Sequence, residues 1–419
     1  MEIRTKEQYI SYIRRTTTIP TGIDGSTAIK LIEEMIDALL IDWSNPNLKI
    51  LDPGFGFGGY LFFVYLKLAQ FHSEEHILNN MLYGVEIEDF RFELVKHKLK
   101  IKNLIKGDFL DNKIFKNMKF DAIIGNPPYQ DGERSDQANK LWPKFIKKSS
   151  ELLSTNGIMS FVTPNGWMNS KTADIGKGKG GINIFNDIFK KKNLLYVNYD
   201  SSEIRKKYFP DVGSTFTIFI YQNSEYGGKT EFFKYDSGSE IYDISDVSDL
   251  PQYISATTFS ILEKITKNTD KFNFIDQNHN LNGIETSIKT PEFKYKCFHT
   301  HKNGGTYWYG NKKSWFAGKY NVAITLSGKY LATLTTDSFS NMCLGIPCET
   351  ENEANNIVSI LNSSLYKFIV FISKFSGFNP RSTILKLPKL KNKFWIDDDI
   401  YEHFNITNEE LKYIETKIK

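Results

Sequence analysis

The chain has 419 residues, with 53 Lys and Arg against 49 Asp and Glu, so its formal net charge is only +4. Hydrophobic residues make up 40% and charged residues 24%, which allows real cores and excludes wholesale disorder, collagen-like repeats and a disulfide scaffold. At about 100–200 residues per domain the length gives two or three domains, and the total charge does not announce a nucleic-acid binder.

Ile29, Ile32, Ile36 and Leu39 recur at helical spacing, so 27–40 reads as an amphipathic helix, capped by Asp24 or Ser26. A short apolar strand at 48–51 runs directly into Asp52-Pro53-Gly54-Phe55-Gly56-Phe57-Gly58-Gly59 and a helix from Tyr60. A second strand, 81–85, ends at Glu86 and precedes a helix at 90–100. A third, 101–105, leads to Asp108-Phe109, and a fourth, 120–125, ends in Asn126-Pro127-Pro128-Tyr129. A helix at 141–153, a strand at 157–164, a flexible break at 177–181 and a hairpin-like pair, 194–199 and 214–221, follow. Strands alternating with helices predict an α/β fold, a Rossmann-like doubly wound and mostly parallel sheet covered on both faces. Past 223 the pattern changes to short strands with Asn and Ser clusters, which places a boundary near residue 225. Residues 1–225 then form one domain and 226–419 a second, mixed α+β domain that closes on a charged helix at 407–419.

The N-terminus is charged and lacks the apolar core of a signal peptide. The longest apolar stretches, near 60–66 and 365–372, fall short of the about 20 residues that span a bilayer. Cys297, Cys343 and Cys348 have no metal-ligand spacing, and no Cys/His cluster appears. The expectation is a soluble, cytoplasmic protein with no metal and no membrane contact.

The glycine-rich turn sets bare backbone at a helix N-terminus, where free N–H groups favour an anion and a ligand can approach closely. A nucleotide-like ligand at the C-terminal edge of the sheet follows. The spacing differs from that of a phosphate-cradling ATPase loop. Glu86, closing the next strand, can accept both hydroxyls of a ribose. Asp108 offers an acceptor for an adenine amino group, and Phe109 a ring beside it or a core residue. Singly, each is as well read as a tight turn, a solvated carboxylate or a core ring; their order along the chain favours a ligand.

Asn126-Pro127-Pro128-Tyr129 completes the series. An exocyclic amine on a purine is a poor nucleophile because its lone pair is delocalised into the ring. The Asn126 side-chain oxygen and the Pro127 carbonyl can accept its two hydrogens and draw the nitrogen toward tetrahedral geometry. Pro127 and Pro128 stiffen the turn that holds these acceptors, and Tyr129 can stack on a base flipped out of a duplex.

Asp52-Pro53-x-x-Gly56 followed by Gly125-Asn126-Pro127-Pro128-Tyr129 resembles the amino-group methyltransferases that use S-adenosylmethionine, of the class I fold. The sequence is most similar to gamma-arranged DNA adenine-N6 methyltransferases, cofactor motifs first and target recognition last, of the Eco57I restriction–modification type. The resemblance is detailed through the first half and loose in the second. It implies that Thr27, Asp52, Pro53, Gly54, Gly56, Glu86, Asp108 and Phe109 bind S-adenosylmethionine. It implies too that Asn126, Pro127, Pro128 and Tyr129 hold the target amine. The family's first helix carries Thr-Pro near its start; here the counterpart is Thr27, followed by Ala28, or Pro20-Thr21.

Residues 226–419 are then a DNA target-recognition domain. Lysine and arginine gather at Lys171, Lys177 and Lys179, at 190–192, at 205–207 and at 386–393, suited to phosphate contacts flanking one cleft. Lys171, Trp308, Arg381 and Ser382 are the candidate DNA-binding residues. The polar loop at 130–137 reads as mobile without DNA, or as a solvated surface loop. The expected partner is double-stranded DNA, the expected state a monomer, and a separately encoded cognate restriction endonuclease stays open. Relatives with the same tetrapeptide modify guanine N2 in RNA or glutamine in protein, so an RNA or protein methyltransferase is one alternative. A non-catalytic DNA-binding specificity protein is another.

Overall fold

The computed structural model describes residues 2–16, 25–129, 140–168, 174–175, 182–210, 212–245, 247, 249–268, 270–276, 282–302, 305–374 and 377–418. Inside its largest sheet, with a strand on either side, lies β1 (Ile50–Asp52), buried at every residue as expected of an interior parallel strand. Parallel to it on one side run β2 (Leu82–Glu86) and β3 (Asn103–Lys106), and on the other β4 (Phe120–Gly125) and β5 (Leu153–Thr163). The connections are α1 (Lys6–Thr16) and α2 (Gly25–Asp37) ahead of β1, then α3 (Gly59–Leu68), α4 (Asp89–Leu99) and α5 (Trp142–Leu152). Each lies within a few residues of its predicted place, except α1, which the sequence reading missed.

The pair predicted as hairpin-like is antiparallel, β6 (Asn193–Asn198) against β7 (Thr217–Gln222), with α6 (Ser201–Tyr208) in the connection. Asp200 caps α6 by accepting from the Glu203 amide. Two further strands, β8 (Thr230–Lys234) and β9 (Gly238–Tyr242), extend the sheet to the order β9-β8-β6-β7-β5-β4-β1-β2-β3. Because β8 pairs in parallel with β6, Phe232 opposite Val197, the sheet continues past residue 225. The chain divides instead into Met1–Asp249 and Leu250–Lys419.

Burial explains the helix assignments. Nearly every residue of α3 is buried, as expected for a helix that is apolar all round. Tyr9 of α1 stacks on Phe62 of α3 with ring centroids 4.8 Å apart. A Cβ on Gly59 would lie 2.7 Å from Ile32 Cδ1 and 3.0 Å from Tyr9 Oη, so glycine lets α1 and α2 approach the start of α3. Gly84 of β2 plays the same part under the glycine-rich turn: a Cβ there would stand 2.7 Å from Phe55 Cδ1 and 3.0 Å from Leu104 Cδ2. Gly84→Ala is therefore expected to destabilise the first unit by about 1–3 kcal/mol. A lower urea midpoint at unchanged slope would show it.

The second unit is mixed α+β. One four-stranded sheet runs β10-β17-β14-β15, from β10 (Ile275–Asp276), β14 (Tyr320–Thr325), β15 (Ala332–Thr335) and β17 (Cys343–Cys348). A second runs β11-β13-β12-β16, from β11 (Glu285–Thr286), β12 (Tyr295–Thr300), β13 (Thr306–Gly310) and β16 (Ser338–Phe339). Its main core joins Val322, Ile324, Leu344 and Ile346 to apolar faces of α7 (Ala256–Thr266), α8 (Glu351–Leu361) and α9 (Ser364–Ile372). The short α10 (Arg381–Ile384), α11 (Asp397–His403) and α12 (Asn408–Ile418) follow, the last in the predicted place of the terminal helix. Among the described residues no helix is long and apolar enough to cross a membrane.

Candidate active site

Because β1, β2, β3 and β4 are parallel, their C-terminal ends and the loops after them share one edge of the sheet. Asp52 ends β1 and Glu86 ends β2, while Asp108 follows β3 and Asn126 follows β4. Topology thus gathers residues that the sequence spreads over 75 positions (126 − 52 + 1).

Asp52 is 1% exposed. Its Oδ1 accepts the Gly54 amide at 3.2 Å, while Oδ2 is buried with no partner among the described residues. Burial pushes its acid up to about 8; the Gly54 amide opposes the shift and the nearby Glu86 carboxylate adds to it. Glu86 is also buried, and both its oxygens shape the turn: Oε2 accepts from Gly56 N and Oε1 from Glu88 N, each at 2.9 Å. Gly56, at φ +53°, holds the left-handed backbone that this bond requires. A second acceptor lone pair on each Glu86 oxygen remains for a hydroxyl.

The glycine turn adjoins the tetrapeptide. A Cβ on Gly54 would be 3.7 Å from Pro128 Cδ, and one on Gly125 would be 2.9 Å from Asp52 Oδ1. Gly125 is thus required next to Asn126 for the buried carboxylate to fit. Pro53 lies at the same contact, 3.5 Å from that Gly125 position. Asn126 and Pro128 are exposed and Pro127 is buried. Tyr129 is half-buried, its ring 6.0 Å from that of Phe216, and its hydroxyl has no partner among the described residues. Burial holds that phenol well above its ordinary pKa. The expectation was a ring presented to a base; here the ring turns inward against Phe216.

Sequence reasoning missed several neighbours. Phe216 stacks on Phe209 at 4.4 Å and 19°. Asn165, just past β5, accepts from Thr215 Oγ1 at 2.6 Å, and Trp167 Nε1 donates to Thr217 Oγ1 at 2.9 Å. No sequence signal marked them: the antiparallel pairing of Thr163 with Thr217, which sets these residues beside one another, is a property of the fold. Of the predicted adenine contacts, Asp108 is exposed and its Oδ1 accepts from Leu110 N at 2.9 Å. Phe109 is 2% exposed, its ring 5.0 Å from Phe145, so it is a buried ring.

The Thr27 side chain, Pro20-Thr21, Lys171, Lys177, Lys179 and the loop 130–137 lie outside the described residues. In the second unit Trp308 stacks on His299 at 4.4 Å and 12°, and His299 Nδ1 is 2.7 Å from Ser340 Oγ. Arg381 opens α10 half-buried, whereas Ser382 is 5% exposed, a core position rather than a surface one. Arg205, Lys206 and Lys207 on α6 are exposed, as are Lys386, Lys389, Lys391 and Lys393. Among the described residues no three His, Cys, Asp or Glu side chains are grouped to hold a metal.

Residues 62–204 match the family model described as Eco57I restriction-modification methylase. Type II methyltransferase M.AccI of Acinetobacter calcoaceticus is 26% identical over 280 residues, 62% of this chain and 44% of that protein. A release factor glutamine methyltransferase of Aliivibrio fischeri is 32% identical over 141 residues, 32% of this chain and 46% of that protein. The chain thus spans a little under half the length of each. Among solved structures, a nuclease-deletion mutant of the Type ISP restriction-modification enzyme LlaGI, in complex with a DNA substrate mimic, shares the fold. Its TM-score is 0.55 at 12% identity, over 99% of this chain and 49% of that one. Residues 62–204 are thus similar to the Eco57I restriction-modification methylases, and the chain shares its α/β fold with the LlaGI enzyme.

Proposed function

We propose that this protein methylates the N6 amino group of adenine at a specific site in duplex DNA, as the modification enzyme of a restriction–modification system. The observation that carries the reading is the buried, half-unpartnered Asp52 carboxyl in a glycine cradle that touches the Asn126–Tyr129 tetrapeptide. An orphaned buried carboxyl oxygen fits a site built for a cationic ligand. Asp52, Pro53, Gly54, Gly56, Glu86 and Asp108 would hold S-adenosylmethionine, with Phe109 behind them and Thr27 from α2. When bound, that cofactor supplies a methyl group already activated on a sulfonium.

The remaining work falls to the chain. Asn126 Oδ1 and the Pro127 carbonyl accept the two hydrogens of the target amine and turn its lone pair outward. Pro128, against the Gly54 backbone, fixes those acceptors beside the cofactor cradle. Tyr129, half-buried with Phe216 behind it, would stack on a base that must leave the duplex to arrive. Residues 250–419 would read the target, with Trp308 and Arg381 toward bases and the exposed lysines toward phosphates. In this reading the protein acts as a cytoplasmic monomer, with a separately encoded endonuclease as its counterpart.

The likeness to release factor glutamine methyltransferases favours one rival, a protein substrate. Transfer of tritiated methyl to duplex DNA, RNA and bulk protein separates the two. Label in DNA as N6-methyladenine is the expected result, and label confined to protein or RNA would overturn it. Methylation-sensitive sequencing of DNA from expressing cells would then give the recognition site.

A further inference from the structure

The turn after β3 is held from outside by one lysine of α5. Lys148 Nζ donates to the Phe109 carbonyl and, at 2.6 Å, to the Asp111 carbonyl. The same ammonium lies 4.9 Å from the centroid of the Phe109 ring. Three residues earlier on the helix, Phe145 meets Phe109 ring to ring at 5.0 Å. Phe145 also reaches the glycine-rich turn, 3.8 Å from where a Cβ on Gly54 would stand. Within the turn, Asp108 Oδ1 takes the Leu110 amide and Asp108 O takes the Asp111 amide.

Positions i and i+3 share one helix face. Through Phe145 and Lys148, that face of α5 bridges two rims of the proposed cofactor site, the glycine-rich turn and the 108–111 turn. Lys147 on the same helix pairs instead with Glu151, so it does not duplicate the contact. The Lys148 ammonium is half-buried, and the Asp111 and Asp108 carboxylates act on it electrostatically. Charge-assisted bonds to two carbonyls of one four-residue turn are stronger than neutral ones. Among the described residues no other side-chain hydrogen bond crosses from α5 to this turn.

We infer that Lys148 is a positioning residue that sets affinity for the adenosine part of the cofactor by fixing the Asp108–Asp111 turn. It touches neither the methyl group nor the target amine, so it acts on binding and leaves the transfer step alone. The inference rests on the cofactor reading above.

The test uses the full-length protein with Lys148→Met, which keeps the aliphatic stem over Phe109 but loses the donors, and Lys148→Arg, which restores them. Lys148→Gln, a shorter side chain with one donor group, serves if the Met variant does not fold. Titration calorimetry is run with S-adenosylmethionine and with 5′-methylthioadenosine, which keeps the adenosine and lacks the amino acid. Lys148→Met is expected to weaken both ligands by the same factor, about ten-fold, and to raise the KM for S-adenosylmethionine alike. The kcat at saturating cofactor and the KM for DNA should stay unchanged, and Lys148→Arg should recover most of the affinity. Wild-type affinity in Lys148→Met, or a fall in kcat at unchanged KM, would overturn the inference alone. A wild-type protein that binds neither ligand would overturn the cofactor reading and the inference with it.

Discussion

Replacing Asn126 with Ala is expected to abolish measurable methyl transfer while leaving S-adenosylmethionine affinity within about two-fold of wild type. Asn126 is exposed at the end of β4, and its side chain has no hydrogen-bond partner among the described residues. Its removal should therefore cost the fold little, and the melting temperature should hold. What disappears is one of two acceptors for the amine hydrogens. The Pro127 carbonyl alone cannot bind both hydrogens and fix the direction of the lone pair. Deleting one preorganised hydrogen-bonding group at a reacting centre costs roughly 10²–10³-fold in kcat, enough to take a slow methyl transfer below detection. Asn126→Asp keeps an acceptor and should retain some transfer. Single-turnover transfer to duplex DNA, with calorimetry for the cofactor, checks both variants. Full activity in Asn126→Ala would sink the acceptor role, and loss of cofactor binding would move Asn126 into the cofactor pocket.

Much of this edge of the sheet was legible in the sequence, for a physical reason. Each parallel strand must be a short apolar run, and the ligand-facing residues must follow at its C-terminal end. Asp52, Glu86, Asp108 and Asn126 therefore announce themselves by position. The residues that support them do not, because their contacts come from remote parts of the chain. Phe145 covers Phe109 from the next helix, Phe216 meets Tyr129 from the residue just before β7, and Gly125 is explained by Asp52. Helix α1 was missed because its two buried residues, Tyr9 and Tyr12, are lost in a polar sequence. Strand β9 was missed because it is a sheet edge whose residues are almost all exposed, which erases the alternation that marks a half-buried strand. In the second unit many strands are of two to six residues, and their order depends on non-local pairing.

Stability should carry the mark of Asp52 as pH changes. An unfolded aspartate has a pKa of about 3.9, whereas burial raises the folded one to about 8. Between these values the folded protein keeps a proton that the unfolded chain has released, so rising pH favours unfolding. The stability due to this group is whole below about pH 4, is lost progressively up to about pH 8, and is level above it. Asp52→Asn removes the titration. Relative to that variant, ligand-free wild type should lose on the order of a few kcal/mol between pH 4 and pH 8. Urea midpoints of both proteins across that range measure the difference, and parallel curves would show that Asp52 is ionised throughout. The same carboxyl links pH to binding. A cationic sulfonium ligand favours the carboxylate, so cofactor binding near neutral pH should release a proton and tighten as pH rises toward 8. In Asp52→Asn the pH dependence should vanish and the affinity fall by roughly ten- to a hundred-fold. Calorimetry in buffers of different ionisation enthalpy counts the proton, and none released by wild type would separate Asp52 from the cation.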